Sequence, residues 1–283
     1  MNKFDKIVQD IKEVKIQGAT NIAKAGLKAY VLKPGKMSKK KLFGARPTEP
    51  MLFNSIKFLD KGMDYGKILE HFEETQDRIN KEVFKLIKGK KIVYTHCHSS
   101  TVIKALVYAK KKGRNPRKSK ISGATKSKRH HDDFDGFEVY NTETRPLFQG
   151  RKTARDLKNA GINVTMFVDS AIKKAAEKSD IVFLGADAIL KDGVINKIGS
   201  DMIGEILEDD NIPIYILADS WKYYSKNIKI EERKAKEVWK NKPKGIKIEN
   251  PAFEKIEKKY IKGIVSELGV LKFGDFLRKV QHN

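Results

Sequence analysis

One cysteine, Cys97, serves a chain of 283 residues. No intrachain disulfide can form, so a reducing cytoplasm is the expected compartment. No apolar run approaches the ~18 residues of a membrane span, and "MNKFDKIVQDIKEV" is too charged for a signal peptide. Low-complexity tracts are also missing, while an apolar fraction of 40% is adequate for a folded core. Arginine is scarce: only 10 of the 59 basic residues are Arg. The net charge of +23 therefore lacks the guanidinium forks that favour phosphate and base recognition. The lysines are mixed with acids, as in "EKIEKKYIKG", and indicate anionic partners in general, sugar phosphates included.

Two regions follow from the hydrophobic rhythm. Residues 1–88 read as helical, with "FDKIVQDIKEVKI", "NIAKAGLKAYVL", "EPMLFNSIKFLD" and "GKILEHFEETQDRINKEVFKLI" at helical spacing. The Lys-rich "KPGKMSKKKLFGARP" between them carries the Gly and Pro of a loop. From residue 89 to 283, short β-prone runs alternate with helices: "KIVYTH", "FEVYNTE", "NVTMFVD", "DIVFLGAD" and "IPIYILAD". Five such runs predict βαβ units, hence an α/β, Rossmann-like, mostly parallel sheet with helices on both faces. A further helix is expected in the tail beyond Asn250. Residues 110–136 interrupt the rhythm with a basic stretch lacking apolar periodicity, the pattern of a solvated loop. A sharper reading makes it an arm contacting an acidic partner or RNA.

In an open parallel sheet, ligands bind beyond the carboxyl ends of the strands. Polar residues collect there: Cys97 after the first run, Glu143, Thr144 and Arg145 after the second, Asp169 and Ser170 after the third. Asp187 follows the fourth, and Asp219 and Ser220 the fifth. If the strand continues through His96, Cys97 and His98, alternate side chains point apart and cannot close on one ion. Nor has any other Cys or His cluster zinc-ligand spacing, so no metal is expected. Cys97 precedes the Ser99/Ser100 cap, where helix-start amides favour a thiolate; a packed, inert thiol is the alternative. Asp187 follows apolar "IVFLGA", where desolvation raises a carboxyl pKa and suits general acid–base work; a turn-capping Asp is the plain alternative. Arg145, Lys197 and Lys222 are candidate phosphate contacts, and the Gly18 turn could present helix-start amides to an anion.

"TETRPLFQGRKTARDLKNAGINVTMFVDSA", "FLGADAILKDGVINKIGS", "VKIQGATNIAKAG", "ARPTEPMLFNSIKF" and "NPAFEKIEKKYIKGIVSELGVL" are long motif blocks spread over nearly the whole chain. They resemble the superfamily of translation initiation factor 2B alpha, beta and delta subunits, methylthioribose-1-phosphate isomerase and archaeal-type ribose-1,5-bisphosphate isomerase. The "THC-S" form is most similar to the last. The resemblance implies an aldose–ketose isomerase acting on ribose 1,5-bisphosphate, with Cys97 and Asp187 dividing the acid and base roles. It also implies phosphate contacts from Gly18, Ala19, Arg46, Ser99, Arg145, Gln149, Asn196, Lys197 and Lys222, no cofactor, and a homo-oligomer. The alternative it leaves is a non-catalytic subunit binding initiation factor 2 or a regulatory sugar phosphate or nucleotide. Three features depart from the isomerase pattern: Gln17 stands where those enzymes have Arg, Glu49 where they have apolar residues, and the basic insertion at 110–136 lies just after the helix that follows Cys97.

Overall fold

The computed structural model describes residues 1–113, 136–230 and 232–281. Five helices open the chain: α1 (Lys3–Lys12), α2 (Ala19–Leu32), α3 (Lys36–Ala45), α4 (Pro50–Asp60) and α5 (Tyr65–Leu86). Four match the apolar periodicity. The third, α3, replaces the expected Lys-rich loop. Ser38, Leu42 and Ala45 recur at helical spacing and are buried, while lysine is a good helix former on the outer face. Gly35, with φ of 130°, makes the turn into it.

The remaining elements are β1 (Ile92–Thr95), α6 (Ser100–Gly113), β2 (Glu138–Thr142), α7 (Gln149–Asn159), β3 (Asn163–Phe167), α8 (Ile172–Ala176), β4 (Ile181–Leu184), β5 (Ala188–Ile189) and β6 (Gly193–Lys197), followed by α9 (Ser200–Ile206), β7 (Ile214–Leu217), α10 (Ala235–Val238), β8 (Phe253–Glu257), β9 (Ile261–Ser266), β10 (Gly269–Leu271) and α11 (Phe273–Gln281). The five β-prone runs become β1, β2, β3, β4 and β7, all parallel. The main sheet has order β10-β9-β7-β4-β1-β2-β3, with only β10 antiparallel. The tail thus supplies two strands of this sheet before its helix. It also supplies β8 to a small antiparallel sheet of order β5-β6-β8. Of the basic stretch 110–136, residues 114–135 lie outside the described residues.

Apolar side chains cover both faces of the main sheet. One core joins Tyr94, Leu184 and Ile216 to Ile172, Ile203 and Phe276. The other joins Val93, Val139 and Phe183 to Val102, Leu106 and Leu157. A third core holds the N-terminal helices together through Phe4, Ile22, Leu27, Leu52 and Phe72. Helix α5 belongs to two of them, with Ile68 and Phe72 in the helical core and Ile79 and Val83 against the sheet. It thereby fastens the helical region to the sheet.

Strand order locates the site. From β1 the chain proceeds one way to β2 and β3, whereas β4, β7 and β9 lie on the other side. Connections diverge between β1 and β4, and the crevice beyond their carboxyl ends is where such sheets bind ligands.

Candidate active site

Cys97 follows β1 and Asp187 follows β4, so the two residues flank that crevice. A cleft open to solvent, with an enclosed space of about 100 Å³, lies between them, the start of α2 and the start of α6. Its wall includes ten of the eleven site residues expected from the sequence: Gly18, Ala19, Arg46, Cys97, Ser99, Gln149, Asp187, Asn196, Lys197 and Lys222.

Arg145 is the exception. It is exposed, its guanidinium donates to the Val238 carbonyl at 3.1 Å, and it lies over the Phe148 ring at 5.0 Å. The other strand-end acids are likewise committed to the protein. Asp169 accepts from the Thr144 and Arg145 amides at 2.8 and 2.7 Å, and Glu143 pairs with Arg151 at 2.7 Å.

The strand ends at Thr95, so side-chain alternation does not govern "HCH". Cys97 instead adopts a left-handed φ of 65°, which a non-glycine residue takes only when its surroundings impose it. Both sides of the peptide do so. The Cys97 amide donates to Thr144 Oγ1 at 3.2 Å, and Thr153 Oγ1 donates to the Cys97 carbonyl at 2.6 Å. The turned backbone leaves Sγ donating to Gln149 Oε1 at 3.4 Å, in the cleft.

The histidines serve the frame. His96 is buried with Nε2 donating to the Ile198 carbonyl at 2.9 Å, which leaves Nδ1 to accept from Thr142 Oγ1 at 2.9 Å. That pairing selects the neutral ring, and burial pushes its pKa down. Nε2 of His98 meets Asp156 Oδ2 at 2.9 Å, and burial lowers its pKa too.

Of the two readings of Cys97, thiolate or packed thiol, its surroundings favour the protonated form. Burial pushes the Cys97 thiol up to about 12, with Lys197 only partly offsetting it and the Asp187 charge adding to the rise. Near neutrality the group is a thiol and can give a proton. Asp187 is half-buried, and its amide donates to the Ile195 carbonyl at 2.8 Å in the turn that opens the small sheet. Gly185, two residues earlier, has no room for a side chain: a Cβ there would stand 2.6 Å from Ser99 Oγ. That approach brings the Asp187 turn against the start of α6.

Two helix starts face the cleft. Gly18, with φ of 84°, turns the chain into α2 without a side-chain cap. The amides at Gly18–Thr20 are thus free of the capping oxygen that would otherwise occupy one of them. At α6, Ser99 Oγ accepts weakly from the Val102 amide at 3.4 Å. Positive helix ends and unsatisfied amides favour an anion.

Cations surround the same space. Lys222 is buried with Nζ donating to the Ala186 carbonyl at 2.5 Å, and Lys197 and Arg46 are buried too. Asn196 is held by a 2.9 Å bond to Ser200 Oγ. Of the departures, Gln17 lines the cleft and donates to the Val14 carbonyl at 3.0 Å. Buried Glu49 also lines the cleft, 3.8 Å from Arg46 Nη2, so the guanidinium offsets a negative charge that stands in the pocket wall.

Sequence reasoning missed Arg233 and Glu237, which line the cleft and pair with each other at 3.4 Å. They come from "KIEERKAKEVWK", a stretch indistinguishable from a solvated charged face. Only the antiparallel pairing that returns the chain as β8 carries it over the pocket. The assembled cleft combines a neutral thiol, a carboxylate and cations with helix starts, which equips it for proton transfer on an anionic ligand.

The family model described as "Initiation factor 2 subunit family" matches residues 36–273. A ribose 1,5-bisphosphate isomerase of Methanocaldococcus jannaschii is 32% identical over 269 residues, covering 84% of this chain and 80% of that protein. Among solved structures, the translation initiation factor eIF-2B of Pyrococcus horikoshii OT3 superposes with a TM-score of 0.77 at 23% identity, covering 96% of this chain and 98% of that one. The 5-methylthioribose 1-phosphate isomerase of the same organism gives 0.74 at 22% identity, covering 99% and 88%. At those identities the two structures bear on the fold, and the family match bears on membership. The chain belongs to the Initiation factor 2 subunit family.

Proposed function

We propose that this protein is an aldose–ketose isomerase that converts ribose 1,5-bisphosphate to ribulose 1,5-bisphosphate. The observation that carries the reading is a protonated thiol, Cys97, held in a strained backbone across one cleft from the Asp187 carboxylate. A subunit that only binds a partner has no use for that pair. The similarity to an isomerase at 32% identity supports the same substrate class.

The substrate explains the parts. An aldose closed by an anomeric phosphate cannot open its ring as a free sugar does. The ring oxygen must gain a proton, a hydrogen must pass from C2 to C1, and the 2-hydroxyl must lose its proton. Cys97 gives the first proton, and Asp187 takes the last one as the C2 carbonyl forms. The proton then returns from Asp187 to Cys97 through solvent, so the cycle balances. Transfer of the C2 hydrogen as hydride and transfer through a cis-enol have the same balance. Arg46, Lys197, Lys222 and the amides at Gly18–Ala19 and Ser99 carry the positive potential for two phosphates. Gln149 and Asn196 position polar groups between them.

The protein acts without a cofactor and as a homo-oligomer in this reading. Competing substrates test the assignment. Ribose 1,5-bisphosphate should turn over at least a hundredfold more efficiently than ribose 1-phosphate or 5-methylthioribose 1-phosphate, because the second phosphate has charged partners waiting. Equal efficiency would refute the two-phosphate reading, and capture of initiation factor 2 without turnover would favour the binding subunit.

A further inference from the structure

Outside the cleft, three residues distant in sequence converge where α5, the end of β7 and the β9–β10 turn meet. His71 comes from α5, Asp219 follows β7, and Glu267 lies in the turn. One ligand atom from each lies within 4.8 Å of the others, the only such group among the described residues. Asp219 is 5% exposed. Its Oδ1 accepts from the Trp221 amide at 2.8 Å and lies 3.1 Å from His71 Nε2. Its Oδ2 is buried and has no hydrogen-bond partner. A buried carboxylate oxygen left so is costly, and a cation is what such an oxygen accepts.

We infer that His71, Asp219 and Glu267 bind one divalent transition-metal ion, with zinc the ion this donor set fits best. An imidazole with two carboxylates suits zinc, whereas magnesium and calcium prefer all-oxygen shells. Bonds of about 2.1 Å place tetrahedral ligand atoms about 3.4 Å apart; the His71–Asp219 pair at 3.1 Å is already near that spacing, and the separations of up to 4.8 Å would close by about 1 Å or more on binding. The imidazole is already oriented: it stacks on the Trp221 ring at 3.8 Å and 10° and meets Phe72 edge-on. Glu267 is likewise anchored, accepting from the Ser220 amide at 3.2 Å. Three protein ligands leave a fourth position for water. Separations of 148 residues between His71 and Asp219 hide the group from any reading by local ligand spacing.

The ion would crosslink the helical region to the sheet. It would also steady the Ser220–Lys222 turn, which places Lys222 in the cleft. The ion takes no part in the proton transfers of the proposed isomerisation, so either reading can fail alone.

Chelator-treated, untagged protein titrated with zinc chloride tests the site by calorimetry and thermal denaturation. One zinc per chain is expected, with Tm rising by about 5 °C at free zinc a hundredfold above Kd. Glu267→Gln and Asp219→Asn should abolish both effects, whereas Cys97→Ser should retain them. Absence of saturable binding, or stoichiometry unchanged in the first two variants, overturns the inference. So does loss of zinc in Cys97→Ser. Should those variants fail to fold, cobalt added to the wild-type chain decides. Tetrahedral d–d bands without a thiolate charge-transfer band support the site, and a thiolate band or an octahedral spectrum refutes it.

Discussion

Alkylation of Cys97 by iodoacetamide isolates the protonation state on which the chemistry rests. An ordinary thiol ionises near 9, whereas burial lifts this one to about 12. At pH 8 the thiolate fraction falls from about one in ten to about one in ten thousand, roughly a thousandfold. The rarer thiolate is the better nucleophile. With a Brønsted slope near 0.45, three pKa units return about twentyfold, which leaves alkylation about fiftyfold slower than for a free cysteine. Cys97 is the only cysteine, so incorporation measured by mass spectrometry reports it without interference. The logarithm of the rate should climb with unit slope from pH 7 to 10. A plateau below pH 9 would mean a thiolate near neutrality, and the proton-donor role would be refuted.

Gly185→Ala forces a Cβ within 2.6 Å of Ser99 Oγ and should cost about 1–3 kcal/mol in denaturant unfolding while impairing turnover. Asp169→Asn removes a carboxylate that holds two loop amides and should cost about 1–2 kcal/mol by the same measurement. Lys222→Met should raise KM for the bisphosphate about tenfold or more in steady-state kinetics, with a smaller effect on kcat. His96 and His98 have pKa values depressed by burial, so the unfolded chain binds more protons below its own value near 6.5. Their contribution is present above pH 6.5 and lost as pH falls through the folded values; Tm should drop from pH 7 to 5, and His96→Gln should flatten that drop. Light scattering at micromolar concentration should report an oligomer.

Strands β1, β4 and β7 were legible because each is a short apolar run, as in Ile181–Leu184, and mostly buried. Their polar ends pointed to the crevice for the same reason. The small antiparallel sheet was not legible. Its β5 has two residues, and β8, "FEKIE", has three charged residues in five without strict alternation and pairs with β6 across a gap of about sixty positions. Lysines hid α3, since composition suggested a loop where Leu42 and Ala45 find a core. Cys97's position was readable, but not its conformation or proton. The left-handed turn depends on Thr144 and Thr153, which local sequence cannot bring near. The thiol's desolvation depends on the packing of the cleft wall around it, and no residue type announces it.

Conversion of ribose 1,5-bisphosphate by the purified protein, followed by phosphorus and proton NMR, tests the central claim most directly. The wild-type chain should form ribulose 1,5-bisphosphate without releasing inorganic phosphate. Cys97→Ser and Asp187→Asn, folded by circular dichroism, should each lose about a hundredfold to ten-thousandfold in kcat. No ketose from the wild-type chain, or undiminished turnover in either variant, would contradict the account.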